Sequence, residues 1–461
     1  MKCPPGSRHC WLSLLWALIL LGMIAAPWGA RGATPTLLQA DAGRPIAREE
    51  RLRLFDQVWR AIYDHYYDRA FGGVDWRIQR ELYRPKAAEA TTREELYRVL
   101  RRLVATLSDS HTRVFAPEEA FDRQRPTRLT VGLLLRQVEG AIIVVEVDPD
   151  SEAARAGIRP GFRLESVDGQ PVVARIEAIR EELSAPSKVP AEVLNAAILD
   201  RLFWGPVGVG VEADFTDARG ERVRATLTRR RQELSRRVTS RQLPHGMGYL
   251  EVTSFRPEIE SEVAAALATQ AGARGLILDL RRNGGGLVAT VSRLAGHFLP
   301  AGTALGEFIT RQGRTVEAVA ESRAEQYRGP LVVLISDRSA SGAEVLAAAL
   351  QESRRAYLIG THPTTCGCLL GVGRTILLSD GGKLNISDTD FRTARGQRIE
   401  GRGLQPDRSV PLRLDDLAQD RDRPLEEAIA YLARTLLLGP NPPSLDFPLL
   451  TLPSRHSPSR P

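Results

Sequence analysis

Two short, almost wholly apolar runs, residues 275–280 and 331–336, constrain this chain most. Each ends in a turn of small residues and each leads into a helix-patterned segment. Apolar runs of this length suit strands buried on both faces of a sheet, with helices packed above and below. Residues 248–252 and 357–360 offer further short strands, 375–378 are expected to continue the same sheet, and 257–269, 288–298 and 343–353 carry helical segments between them. Strand and helix alternating in this way predict a layered α/β core that begins near Met247.

The chain has 461 residues, more than one core organises, so two or three domains are expected. Residues 46–116 read as helical: Phe55, Val58, Ile62 and Tyr66 recur at helical spacing, and Leu96, Val99, Leu103 and Leu107 do so again. Thr91 or Thr92 can cap the second run, with Glu94 and Glu95 at its positive end. From 127 to 237 the pattern turns to short β-type runs, interrupted by a helix-rich insertion at 174–207.

Lys2 and Arg8 precede an apolar stretch over 11–28, followed by small residues at Gly29, Ala30, Gly32 and Ala33. This order predicts a secretory signal peptide removed near Gly32, with a membrane anchor as the alternative. Either places the folded part outside the cytoplasm. Cys3 and Cys10 fall in that segment, which leaves Cys366 and Cys368 and no disulfide framework. The net charge of +7 is spread among acidic residues without a basic stripe, so no nucleic-acid partner is expected.

Three groups of residues carry possible chemistry. Ser341 lies in Ser339-Ala340-Ser341-Gly342-Ala343-Glu344, between a buried strand and a helix. Taken locally, such a serine is usually an N-cap and not a nucleophile. Asp279-Leu280-Arg281-Arg282-Asn283-Gly284-Gly285-Gly286 gives a glycine turn able to present N–H groups. Asp148 to Gly161, with the Val167-Asp168-Gly169 turn, forms a third unit.

The last unit resembles a PDZ domain, although Phe162 stands where that family usually has Asp. The segment Leu129-Thr130-Val131-Gly132-Leu133-Leu134 resembles its carboxylate-binding loop, which implies peptide binding at Val131, Gly132, Leu133 and Leu134. The "DLRxNxGG" and "SASxxE" segments, in this order along the chain, resemble the tail-specific, C-terminal-processing serine peptidases. The resemblance implies Ser341 as nucleophile, with Gly284, Gly285 and Gly342 as the candidate oxyanion-hole residues. It also implies a multidomain α/β fold: an N-terminal helical segment, a β-rich PDZ domain and a layered core of the ClpP/crotonase-like type. The expected division is 1–32 signal peptide, 33–117 helical region, 118–236 PDZ domain, 237–436 catalytic core and 437–461 Pro-rich disordered tail.

One departure matters. Where the family usually has a basic lysine, this chain has Cys366 or, with a small insertion, Cys368, and the family's glutamine four residues on is missing as well. A neutral thiol is a poor base for serine. The tricorn branch of the same clan instead uses a histidine in an "xSH" segment and a glutamate before a "GVxPD" segment. Ser110-His111 and Glu400-Gly401 match those places, which implies His111 as base and Glu400 as its orienting carboxylate. His362 and His245 are further histidines without motif support. Cys366 and Cys368 could be reactive thiols, a metal pair or a disulfide, with small-residue packing the expected role.

The resulting expectation is an exported serine endopeptidase acting on protein or peptide substrates with free C-termini, needing no cofactor or metal. It would sit in the periplasm or cell envelope, with membrane association through the N-terminal apolar segment. The competing expectation is an inactive homologue that binds or scaffolds proteins.

Overall fold

In a computed structural model the chain is described over residues 45–117, 119, 127–183, 191–233, 238–371 and 373–438. The expected signal peptide and the Pro-rich tail beyond residue 438 lie outside these residues. Among the described residues no helix is long and apolar enough to cross a membrane. The expectation of membrane association is therefore corrected; the apolar stretch that prompted it is not among the described residues.

The N-terminal region forms helices Arg48–His65, Trp76–Glu89 and Arg93–Ala105. Their starts follow from local hydrogen-bond supply. The Asp75 side chain accepts the N–H groups of Arg77 and Ile78, and Thr92 forms a capping box with Glu95. Their apolar faces bury Phe55, Ile62, Leu96 and Leu103 against Leu384 and Ile386, which come from far along the chain. The helical region is thus seated on a three-stranded antiparallel sheet of Arg113–Phe115, Lys383–Ile386 and Arg374–Leu377.

That sheet corrects two local expectations. Arg113–Phe115 is a strand rather than the end of a helix. Arg374–Leu377 does not extend the parallel sheet. A short turn through Leu378 and Gly382 folds it back on Lys383–Ile386, and local antiparallel pairing takes it away from the core.

Leu133–Val138, Ala141–Val147, Arg163–Val167, Gly210–Thr216 and Arg222–Thr228 form the PDZ sheet in that order, with Leu133–Val138 on its edge and the short strand Gln170–Pro171 paired to Arg163–Val167. Helices Val172–Leu183 and Ala191–Arg201 occupy the expected insertion. Val144, Leu164, Phe215 and Leu227 make the core of this unit.

The catalytic-core sheet runs Val238–Leu243, Met247–Val252, Gly275–Asp279, Leu331–Ile335, Tyr357–Gly360, Arg408–Ser409. Its first pair is antiparallel and the others parallel. Alternation along the strands sorts side chains to two faces. Leu276, Leu278 and Val333 join the helices Ile259–Thr269, Val288–Ala295 and Gly342–Glu352. Ile277, Val332 and Leu334 pack on Leu425, Ala428 and Leu432 of Arg423–Leu438. Because Gly275–Asp279 and Leu331–Ile335 are adjacent and parallel, their C-terminal ends bring the glycine turn and Ser341 to one sheet edge.

The PDZ unit rests on this edge through ion pairs. Arg136 Nε lies 3.3 Å from Asp337 Oδ2, Arg338 is 2.9 Å from Asp200, and Arg282 is 2.8 Å from Glu146.

Candidate active site

Ser341 is the residue between the strand Leu331–Ile335 and the helix Gly342–Glu352, held at φ 53 and ψ −117. A non-glycine residue in this region is strained, and such strain persists only where the surroundings impose it. Here the Ser341 N–H donates to Cys368 O at 3.0 Å and to Glu344 Oε2 at 2.9 Å. Ser339 has a different part. It is fully buried, its hydroxyl donates to Leu280 O at 2.7 Å and accepts the Ser336 N–H at 3.0 Å. Ser339 ties the two strand ends together, and Ser341 is the partly exposed serine of the pair.

His111 follows the last N-terminal helix in a turn organised by Asp109, whose Oδ1 accepts the N–H groups of His111 at 2.6 Å and Thr112 at 2.7 Å. His111 Nδ1 lies 2.5 Å from Ser110 Oγ, and that hydroxyl donates to Glu400 Oε2 at 2.9 Å. The Ser110 N–H also donates to Glu400 Oε1 at 3.0 Å, and the Leu369 N–H to Oε2 at 2.7 Å. Burial pushes the Glu400 carboxyl up to about 7, nearby Asp109 adds to the rise, and these three donors oppose it. The structure therefore joins His111 to Glu400 through Ser110, a residue to which the sequence reading gave no role. The signal was present as the Ser-His dipeptide of the matched segment.

The glycine turn meets Ser341 closely. A Cβ on Gly285 would stand 2.7 Å from Ala340 O and 2.8 Å from Ser341 Cβ, and its φ is +94. The Gly285 N–H is occupied, donating to Asn283 Oδ1 at 2.8 Å. Gly286 N lies 3.3 Å from where a Cβ of Gly342 would sit, so those two main chains are neighbours. Gly342 opens its helix and has no carbonyl of that helix to donate to. A Cβ on Gly284 would meet nothing within 4 Å. The Asp279 and Arg281 side chains of the motif brace the turn: Arg281 bridges Asp279 and Asp422.

Glu344, fully buried, joins Ser341 to the segment after Gly360. Its Oε1 accepts Thr365 Oγ1 at 2.5 Å and the Gly367 N–H at 2.8 Å, and its Oε2 accepts the Cys368 N–H at 3.1 Å. Burial raises this carboxyl to about 7 against those bonds. Cys366 and Cys368 are joined as a disulfide, where small-residue packing was expected. The disulfide stands at the family's lysine position.

The remaining sequence candidates lie apart. His245 is exposed before Met247–Val252, at the end of the parallel sheet opposite Ser341. His362 Nδ1 is 3.5 Å from Asp337 Oδ1. In the PDZ unit Val131 is buried, while Leu133 and Leu134 are half-buried at the start of the edge strand. Gly132, at φ +83, passes so close to Ser151 that a Cβ would meet its Cβ at 2.3 Å. Its N–H donates to Thr130 Oγ1 at 2.9 Å.

Comparison with known proteins fits this arrangement. Residues 246–410 match the model of peptidase family S41, 143–194 a PDZ domain, and 47–105 the tricorn protease C1 domain. The carboxyl-terminal-processing protease of Synechocystis sp. is 28% identical over 394 residues, covering 81% of this chain and 84% of that protein. Tricorn protease homolog 1 of Streptomyces coelicolor is 26% identical over 464 residues, covering 94% of this chain and 40% of that protein. A solved photosystem II D1 C-terminal processing protease superposes with a TM-score of 0.52 at 26% identity, covering 78% of this chain and 93% of the other. These matches correct the expected core type. A six-stranded sheet, joined by a four-stranded sheet of Thr315–Val319, Ala304–Thr310, Thr389–Arg392 and Leu370–Gly371, is the S41 peptidase fold and not the ClpP/crotonase-like one. Over residues 246–410 the chain matches peptidase family S41, and with its PDZ domain it is similar to the carboxyl-terminal-processing proteases over most of its length.

Proposed function

We infer that this protein is an exported serine endopeptidase that cleaves protein chains presented by their C-terminal tails, with Ser341 as nucleophile. One observation carries the reading: Ser110 Oγ sits between His111 Nδ1 and Glu400. A hydroxyl that donates its single hydrogen to the carboxylate must accept from Nδ1–H, and that tautomer leaves Nε2 as the proton acceptor. His111 Nε2 takes the Ser341 proton as Oγ attacks the scissile carbonyl, then returns it to the leaving amine. A water attacks the acyl-enzyme by the same route. Glu400, acting through Ser110, fixes the ring and stabilises its charged form.

The oxyanion is held by N–H groups of the glycine turn and Gly342. Gly286 is the donor assigned from the turn, since Asn283 occupies the Gly285 N–H. The substrate tail adds to the PDZ edge strand Leu133–Val138, with Leu133 and Leu134 offering the apolar contact and the Val131-Gly132 loop taking the carboxylate. In this reading the chain divides as its sequence suggests, into a helical region over 33–117, a PDZ domain over 118–236 and a catalytic core over 237–436. Within the exported location, the periplasm or cell envelope is the compartment.

The test uses purified protein and an unfolded substrate ending in apolar residues, with a tail-amidated copy as control. Cleavage by the wild type, slowed by amidation and lost in Ser341→Ala and His111→Ala, is the expected result. Equal absence of cleavage in wild type and Ser341→Ala would leave only a binding role.

A further inference from the structure

We propose that the Cys366–Cys368 disulfide is a reversible redox site, at which an external dithiol releases the segment that holds Ser341 and Glu400 in place. The functional consequence rests on Ser341 being the nucleophile; the redox chemistry does not.

Residues 366–369 hold the site through their main chain. The Cys366 N–H donates to Ser339 O at 3.1 Å, and Cys368 O accepts the Ser341 N–H at 3.0 Å. The Gly367 and Cys368 N–H groups donate to Glu344, and the Leu369 N–H donates to Glu400. Gly367 O accepts the Gly401 N–H at 2.8 Å, one residue beyond Glu400. Four consecutive residues thus support the nucleophile, the buried carboxylate beneath it and the carboxylate behind His111. The disulfide closes the first three of them into a covalent ring with a glycine at its middle.

A stability role explains this bond poorly. A cross-link stabilises a fold mainly by shortening the unfolded chain's reach, and the effect is smallest for the shortest loop. A bridge between residues two apart closes such a loop. What it does constrain is local. With the ring open, Gly367 regains backbone freedom, and the bonds to Ser341, Glu344 and Glu400 must pay its ordering entropy unaided. Both cysteines are half-buried, not sealed in the core, so a small thiol has access.

The chemistry balances with a dithiol as the named reductant. Its thiolate attacks one sulfur, breaking the Cys366–Cys368 bond, forming a mixed disulfide and releasing the other cysteine as a thiolate that takes a proton. The reductant's second thiol, deprotonated, attacks the mixed disulfide and leaves as a cyclic disulfide, freeing the second cysteine thiol. Two electrons and two protons pass from the dithiol to the cysteine pair. An exported location keeps the pair oxidised until such a donor arrives.

The experiment titrates the full-length protein with dithiothreitol under native conditions. Thiols are alkylated and mapped to Cys366 and Cys368, while labelling of Ser341 by a fluorophosphonate is timed in parallel. The expected result is a labelling rate that falls about tenfold or more as both thiols appear, and that recovers on reoxidation by hydroxyethyl disulfide. The Cys366→Ser/Cys368→Ser variant should label at the slow rate and ignore the reductant. Unchanged labelling in wild type with both thiols mapped overturns the proposal, as does alkylation only after denaturation. If Ser341 labels in neither state, the nucleophile reading fails by itself. Amide exchange at Gly367, Cys368 and Leu369 then decides: faster exchange on reduction supports the redox site, and unchanged exchange overturns it.

Discussion

Ser110 grips Glu400 twice, its N–H donating to Oε1 at 3.0 Å and its hydroxyl to Oε2 at 2.9 Å. The backbone bond survives any side-chain change, so the hydroxyl can be removed without undoing the turn that Asp109 also holds. Ser110→Ala should therefore keep the fold and KM while lowering kcat about 10- to 100-fold, because the imidazole loses its link to the carboxylate. Ser110→Thr, which retains the hydroxyl, should recover much of the rate. A peptidase assay on the three proteins checks this.

Ser339 and Ser341 should separate stability from chemistry. Ser341→Ala removes the proposed nucleophile and should abolish fluorophosphonate labelling with little change in Tm. Ser339→Ala breaks two buried hydrogen bonds, to Leu280 O and from the Ser336 N–H. It should cost about 1–3 kcal/mol in thermal or urea unfolding, with activity reduced only as far as the turn loosens.

The glycine turn predicts a contrast between neighbours. Gly285→Ala drives a methyl toward Ala340 O and Ser341 Cβ from a φ of +94, so activity should fall more than about 100-fold. Gly284→Ala meets nothing within 4 Å and should label Ser341 at close to the wild-type rate. Comparable loss in both would mean that the turn matters through flexibility and not through contact with the nucleophile.

Stability should fall as pH rises from about 4.5 to about 7. Glu344 and Glu400 both have carboxyls raised from 4.5 to about 7, chiefly by burial. Across that interval the folded protein holds protons that the unfolded chain has released, so the stabilisation is complete below the lower value and lost through the upper one. Urea unfolding of the Ser341→Ala protein between pH 4 and pH 8 reads the slope, and Glu400→Gln should make it shallower.

Much of this was legible in the sequence because it is local or periodic. The runs around Leu278 and Val333 carry the parallel strands, and the motif order points to Ser341 and to the likeness with the S41 peptidases. His111 and Glu400 could be chosen by resemblance, but their joining through Ser110 depends on contacts across 290 positions of chain. The pairing of Arg374–Leu377 with Lys383–Ile386 was missed because an apolar strand does not announce which sheet it enters. The three glycines of the turn look alike in sequence; the bond from Gly285 to Asn283 and their different approaches to Ser341 and Gly342 distinguish them.

Arg136 and Asp337 test how the PDZ unit is fastened to the nucleophile's turn. Both are nearly buried, Arg136 on the PDZ edge strand and Asp337 four positions before Ser341, with Nε and Oδ2 3.3 Å apart. Burial lowers the guanidinium to about 10, which marks how much solvation it has given up. Removing Arg136 leaves the buried Asp337 carboxylate beside His362, 3.5 Å away, but without its guanidinium, a larger loss than the pair's own net value. Arg136→Met should thus destabilise the protein by about 3 kcal/mol. Arg136→Met with Asp337→Asn should recover a good part of that, giving a coupling energy of about 1 kcal/mol or more in a double-mutant cycle. Because Asp337 leads directly into the Ser341 turn, the single variant should also slow fluorophosphonate labelling, and the double variant should restore it in step with stability. Additive effects in the cycle would show that the two side chains act independently, and that the PDZ unit is held by its other contacts.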